Sequence, residues 1–362
     1  MADVVRPSEK FWSGKRVLVL GHTGFKGAWL SLWLRRMGAV VSGCSLLPEE
    51  PSLFTAAGLE TLVANHYADI RFLEAVTDVM EKVQPEIVFH LAAQSLVRPS
   101  YQDPVGTYAT NVMGTVHVLA AASAIASVRS IVVVTSDKCY ENREWFWAYR
   151  EDEPMGGHDP YSSSKACSEL VTAAWRNSFC GPAKRHLGIA SARAGNVIGG
   201  GDWAKDRLLP DCIRALSAGQ PIAIRNPTST RPWQHVLDPL CGYLLLAERL
   251  TEDPQAYGEP WNFGPVEEDA RPVAWIADRV VKGWGGKARW EATGPHELHE
   301  ARFLKVDAAK SRARLRWSQA LRLDAGLEWT VDWYKSFLDG GPARELTERQ
   351  IDHFCKLQAC QG

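Results

Sequence analysis

Short apolar runs alternate with amphipathic segments through the first half of the chain. Arg16 to Leu20 is a compact strand-like run, and Gly21 to Gly27 is a glycine-rich turn. Leu30, Leu34 and Met37 then recur at helical spacing. Val40 to Cys44 and Val63 to Tyr67 read as further strands, separated by helical spacing at Phe72 to Val83 from a strand at Ile87 to Leu91. A helix after Pro104 carries Tyr108, Asn111 and Thr115 along roughly one face. Ile131 to Val134 are four consecutive β-branched residues with no polar alternation, the pattern of a strand covered on both faces. Strand and helix thus alternate regularly up to residue 136. That order predicts an α/β fold, a doubly wound parallel sheet of Rossmann type.

The regularity then lapses. From Tyr140 to about Pro160 runs a charged and aromatic loop that includes Glu144 to Trp147, and loops of this length are frequently functional. A helix opens after Asp159-Pro160 and continues through Leu170, and Leu187 to Arg193 forms another strand. Residues 1–195 are expected to form the dinucleotide-binding domain, and 196–362 mainly a smaller, interwoven C-terminal substrate lobe. Parts of 236–265 are expected to return to the sheet. Gly285 to Gly294 reads as a loop, and an amphipathic helix from Leu321 to Leu338 closes the pattern.

Composition narrows the class. The 362 residues are 46% hydrophobic and 23% charged, with a net charge of -1 and a pI near 6.8. That suits a globular enzyme and gives no electrostatic footprint for nucleic acid or an anionic membrane. No apolar run has the length of a membrane span, and Met1 to Lys15 lacks the apolar centre of a signal peptide, so a cytoplasmic location is expected. The eight cysteines show no CxxC pair or zinc-like spacing, and His296 and His299 form a lone HxxH, so no metal is expected.

The candidate chemistry lies at the ends of the strands. Gly21, His22, Gly24, Phe25 and Gly27 make a strand-to-helix turn of the kind that lets a backbone approach a pyrophosphate at a helix amino terminus. Leu91, Ala92 and Ala93 are the next residues to pass beside a dinucleotide. No acidic residue ends the strand at Cys44; Asp69, with Ile70, is the nearer candidate for the adenosine side, and no arginine follows Cys44. This stretch therefore leaves NAD and NADP both open. Ser136, Asp137 and Lys138 follow the buried strand where an open sheet places its chemistry. Tyr161 and Lys165 are four apart on one helical face.

The glycine turn, Ser136 and Tyr161-x-x-x-Lys165 together resemble the extended short-chain dehydrogenase/reductase family. The loop residues Ser136 to Tyr140, Glu144 to Trp147, Asp159 to Lys165, Arg193 to Trp203 and Arg231 to His235 resemble its nucleotide-sugar group, and within that group the 4,6-dehydratases of CDP-glucose. The resemblance runs from about Lys15 to the last expected helix. It implies NAD as cofactor, CDP-D-glucose as substrate, and CDP-4-dehydro-6-deoxy-D-glucose and water as products. It also implies a homodimer or homotetramer and a role in deoxysugar supply for surface polysaccharide.

On this reading Tyr161, helped by Lys165 and Ser136, takes the C4 hydroxyl proton during oxidation. Lys138 then removes the C5 proton, or stabilises the enolate, while Asp137 protonates the departing C6 hydroxyl. Gln94, Asn196, Arg207, Arg231, His299 and Arg302 are the substrate-side candidates, Arg231 because a guanidinium forks onto phosphate. Other dehydratases of the family carry Asp-Glu where this chain has Asp137-Lys138. His22 replaces a small residue and is expected to crowd the pyrophosphate and weaken cofactor binding. A nucleotide-sugar 4-epimerase would need no Asp-Lys pair, and a noncatalytic NAD-binding sensor would need no proton-transfer set.

Overall fold

The computed structural model describes residues 5–181, 186–294 and 301–361, with side chains as far as 358. Its centre is a parallel sheet. The elements that build it are β1 (Arg16–Leu20), α1 (Phe25–Arg36), β2 (Val40–Ser45), β3 (Ala64–Tyr67), α2 (Leu73–Val83) and β4 (Ile87–His90). They continue with α3 (Gly114–Ala124), β5 (Ser130–Val134), α4 (Pro160–Phe179) and β6 (Gly188–Ala194). Farther along come α5 (Leu208–Ser217), α6 (Leu237–Glu252) and β7 (Pro260–Phe263). The seven strands lie in the order β7-β6-β5-β4-β1-β2-β3. Every neighbouring pair is parallel.

The unbroken apolar strands have a simple cause, since the sheet is covered on both faces. Val17, Val19, Ile87, Phe89, Val132 and Val134 point into one core with Trp29, Trp33 and Leu240. Leu18, Leu20, Val88, Ile131 and Val133 point into the other with Val76, Met80, Val118 and Leu119. Each such side chain contributes roughly 1.5–3 kcal/mol by leaving water. After β3 at one edge, the chain crosses back through α2 to place β4 beside β1. The crevice at the carboxyl ends of β1 and β4 is the place where such a sheet takes its ligand.

Beyond Asn196 the chain returns to the sheet, where β7 extends the edge beside β6. The same stretch carries three two-stranded pairs, α5, and α7 (Val273–Trp284), with α8 (Leu323–Leu338) packed over an apolar cluster that includes Ile222, Ile224, Ile276, Val280 and Val331. Two expectations are corrected here. Trp290–Ala292, read as loop, pairs in parallel with Ile222–Ile224; so short a strand leaves no periodicity to detect. The helix ending at Leu338 does not close the fold, because α9 (Ala343–Gln361) follows. Its mostly polar sequence buries only a sparse stripe, and Phe354 packs edge-on against Trp33 at 5.6 Å.

Candidate active site

The glycine turn is built around two close approaches. Gly21 has φ +88°, and a Cβ there would lie 2.7 Å from the Ala92 nitrogen. A Cβ on Gly27 would lie 2.1 Å from the Gly21 carbonyl oxygen. Only glycine lets β1, the end of β4 and the first turn of α1 converge so tightly. Gly24 is the exposed N-cap of the twelve-residue α1 and supplies no side-chain cap, so the helix presents its first N–H groups outward. Those groups and the helix dipole suit an anionic diphosphate, so the residues present fit NAD. Phe25 is half-buried beside Gly199.

His22 does not occupy this cradle, contrary to the expectation of crowding. The side chain is completely buried. Its Nε2 pairs with Asn65 Oδ1 on β3 at 2.9 Å, and its ring meets Phe54 edge-on at 5.2 Å. Gly43 on β2 leaves the space: a Cβ there would sit 2.1 Å from the ring. Burial pushes the imidazole pKa down, keeping it neutral. His22 is thus a core residue beneath the turn.

Of the other cofactor-side residues, Leu91, Ala92 and Ala93 form the chain's exit from β4, where the Leu91 nitrogen donates to the Leu20 carbonyl at 2.9 Å. Asp69 accepts from the Arg71 guanidinium at 2.6 and 2.8 Å and from its backbone nitrogen at 2.9 Å. Those bonds hold its carboxyl below the usual range. Ile70 packs over Gly114, leaving no room there for a Cβ.

The catalytic candidates meet where β5 ends. Ser136 caps the single turn Asp137–Cys139, accepting from the Lys138 nitrogen at 3.2 Å and donating to Asp137 Oδ1 at 3.0 Å. Helix α4 brings the partners. Asp159 caps it by accepting from the Ser162 nitrogen at 2.9 Å, and Pro160 occupies its first turn. Tyr161 therefore arrives at the mouth of the strand, close enough to Ser136 for that hydroxyl to favour its phenolate. Lys165, one turn on, donates from Nζ to the Val134 carbonyl at 3.3 Å. Lys138 Nζ lies 5.9 Å from the Tyr161 ring centroid.

Burial sets the charges in this cluster. It pushes the Tyr161 phenol up to about 12, against the Ser136 hydrogen bond and the Arg207 charge. It brings the Lys165 ammonium down to about 8, against Glu169. It raises the Asp137 carboxyl, against Lys138, Ser136, Arg231 and Lys26. Asp137 is 2% exposed, and its Oδ2 has no hydrogen-bond partner among the described residues.

The substrate-side candidates divide. Arg207 donates to Asp202 Oδ2 at 2.9 Å and Ser95 Oγ at 3.0 Å, and its charge reaches Tyr161. Arg231 donates to the Thr230 carbonyl at 3.0 Å and to Ala301, and its charge reaches Asp137. Asn196 is half-buried, with its carbonyl accepting from the Gln234 nitrogen at 3.0 Å. Arg302 is exposed on a strap whose carbonyl accepts from the Thr230 nitrogen at 2.9 Å. His299 lies outside the described residues.

Gln94 is tied into its own loop: its amide nitrogen donates to the Leu96 carbonyl at 2.9 Å and Thr107 Oγ1 at 3.0 Å, and its oxygen accepts from the Leu96 nitrogen. These bonds use both of its donors and leave its oxygen able to accept once more. Asn111 does related work from a π-helical turn, Ala109–Met113, which interrupts the expected helix. Its amide nitrogen joins the Gln94 carbonyl at 2.9 Å to Ser164 Oγ at 2.8 Å.

Sequence reading missed Lys26. This half-buried side chain from the first turn of α1 shares the field of Arg207, Lys165, Asp137 and Asp202. Burial, then Arg207 and Lys165, lower its ammonium to about 8. The signal was present in Phe25-Lys26-Gly27, since a lysine in the first helical turn is unfavourable beside the positive end of the helix dipole without an anion to meet.

The chain and its fold have known relatives. A CDP-glucose 4,6-dehydratase of Salmonella typhimurium is 51% identical over 350 residues, spanning 96% of this chain and 98% of the relative. Among solved structures, the epimerase Mth375 of Methanothermobacter thermautotrophicus superposes with TM-score 0.79 at 24% identity, covering 91% of this chain and 95% of that one. A dTDP-glucose 4,6-dehydratase of Bacillus anthracis, in complex with NAD, superposes with TM-score 0.75 at 20% identity, covering 91% and 99%. The NAD dependent epimerase/dehydratase family profile matches residues 17–264, and with the Tyr161, Lys165 and Ser136 cluster at the strand ends, the chain belongs to that family.

Proposed function

We propose that the chain is an NAD-dependent CDP-D-glucose 4,6-dehydratase that yields CDP-4-dehydro-6-deoxy-D-glucose and water. The observation that carries this reading is the meeting of an oxidation set (Ser136, Tyr161, Lys165) with an elimination pair (Asp137, Lys138) at one strand end. The 51% identical Salmonella dehydratase supports the choice of nucleotide and sugar. When bound, NAD accepts hydride from C4 and returns it to C6.

The residues perform the proton work. Tyr161 takes the C4 hydroxyl proton, with Ser136 holding the reacting oxygen, Arg207 favouring the phenolate, and Lys165 one helical turn on as the supporting cation. The C4 ketone acidifies the C5 hydrogen, which glucose itself does not offer. Lys138, in its neutral amine form, takes that proton, and Asp137, whose hold on a proton burial strengthens, gives one to the departing C6 hydroxyl. Arg207 and Arg231 stand on the substrate side, where guanidinium groups suit a diphosphate.

The working unit on this reading is a homodimer or homotetramer. Val105 at 78% exposure and Leu170 at 59% are apolar surface on the helical turns beside α3 and on α4, suited to an interface between copies. No described helix is long and apolar enough to cross a membrane, and a cytoplasmic site of action fits a nucleotide-sugar substrate.

Incubation with CDP-, dTDP-, UDP- and GDP-glucose, with products read by mass and NMR, tests the reading. Loss of water from CDP-glucose is expected. A C4 epimer of unchanged mass would establish an epimerase instead.

A further inference from the structure

Behind the active site lies a buried charged pair that none of these steps uses. Glu169 stands on α4 one turn beyond Lys165 and two beyond Tyr161, on the same face, and is 4% exposed. Three donors converge on its carboxylate: the Thr135 hydroxyl on Oε1, Ser191 Oγ on Oε2 at 2.6 Å, and Arg193 Nη2 on Oε2 at 2.8 Å. Thr135 immediately precedes Ser136. Arg193 in turn donates from Nη1 to Tyr140 Oη at 2.8 Å and the Glu151 carbonyl at 3.0 Å, and Tyr140 donates to Asn262 Oδ1 at 2.7 Å. One ion pair thus fastens α4, β5, β6 and β7 around the catalytic turn.

Stability alone is a poor reason for such a pair, because desolvating two charges offsets most of their attraction. Burial alone would push the Glu169 carboxyl up, but Arg193 and the three hydrogen bonds outweigh it and keep the group ionised. The groups that bear on Lys165 are Lys26 from α1, His90 from the end of β4, Cys139 from the turn after β5, and Glu169 from its own helix, where Tyr161 stands one turn before it. Those bearing on Glu169 besides Lys165 are Arg193, Arg176 and Cys139. Of the neighbours of Lys165, Lys26 opposes its charge, His90 is kept neutral by burial, and Glu169 is the anion.

We propose that Glu169 is the positioning residue for Lys165: fixed by Arg193, Thr135 and Ser191 one helical turn from the lysine, its carboxylate favours the charged ammonium that stands at the end of β5, without itself touching substrate or cofactor. This rests on the roles given above to Tyr161 and Lys165. The chemistry is electrostatic, since an anion one helical turn away favours the ammonium form.

The test is the pH profile of kcat/KM for the wild type, Glu169→Gln, the double variant Glu169→Gln/Arg193→Met, and Tyr161→Phe, with folding followed by circular dichroism. The single variant leaves Arg193 buried and unpaired, so the double variant removes both charges and keeps the test open if the single one does not fold. The alkaline limb, where Lys165 loses its proton, is expected to move to lower pH by roughly one unit in a folded Glu169 variant. Activity beyond that limb should fall about tenfold. A limb superimposable on that of the wild type, with only the melting temperature lowered, would overturn the proposal and leave Glu169 a structural brace. Inactivity of Tyr161→Phe would then keep the roles of Tyr161 and Lys165 intact, whereas full activity of that variant would remove those roles and this inference together.

Discussion

His22 and Gly43 form one packing unit, and their substitution separates a core role from a cofactor role. In His22→Ala a wholly buried ring is lost, along with its 2.9 Å contact to Asn65 and its edge-on contact to Phe54. A buried side chain cut to alanine costs about 2–4 kcal/mol with its cavity, and the stranded Asn65 oxygen costs about 1 kcal/mol more. A net loss of about 2–4 kcal/mol is expected. Gly43→Ala puts a methyl 2.1 Å from the ring and should cost about 1–3 kcal/mol through overpacking. In the double variant the methyl enters the space the ring vacated. The combined loss should therefore fall short of the sum by about 1 kcal/mol or more. Urea unfolding measures the cycle, and calorimetric titration with NAD measures affinity. His22→Ala that retains wild-type stability and binds NAD more tightly would place the imidazole over the pyrophosphate and refute the reasoning.

Other substitutions probe other parts of the site. Lys138→Met is expected to leave C4 oxidation measurable while stopping solvent-deuterium entry at C5; continued exchange would assign the C5 base elsewhere. Lys26→Met should weaken binding of NAD or the sugar nucleotide about tenfold, with a smaller effect at high salt, as calorimetry at two ionic strengths would show. Asp238 is buried, and burial lifts its carboxyl to about 8, opposed by bonds from the Ala320 and Leu321 nitrogens. A folded pKa above the unfolded one means that its stabilising contribution is complete below about pH 4 and is lost as pH rises through about 8. Asp238→Asn should flatten the decline in unfolding free energy across that window, and an unchanged slope would show that Asp238 does not titrate there.

Much of the sheet was legible because its strands are covered on both faces: Val17 to Leu20 and Ile131 to Val134 cannot be anything but interior. The gathering of the candidate residues was legible for a related reason, since Ser136 follows such a strand and Tyr161 and Lys165 follow a capped helix start. What escaped was contact across long separations. The inward turn of His22 depends on a glycine at 43 and an asparagine at 65. The use of Gln94 within its own loop depends on Thr107 and Asn111. Glu169 looked like one more charge on a helix until Arg193 and Ser191 from β6 closed on it. Spacing reports which residues share a face, and only tertiary packing reports what that face meets.

The most direct measurement uses CDP-D-glucose carrying deuterium at C4, incubated with the enzyme and NAD in ordinary water. Hydride that leaves C4 and returns to C6 within one site predicts a product lighter by one water, with the deuterium on C6. A product of unchanged mass with deuterium still on C4, or a dehydrated product with the label lost to solvent, would contradict the coupled oxidation, elimination and reduction assigned to this strand end.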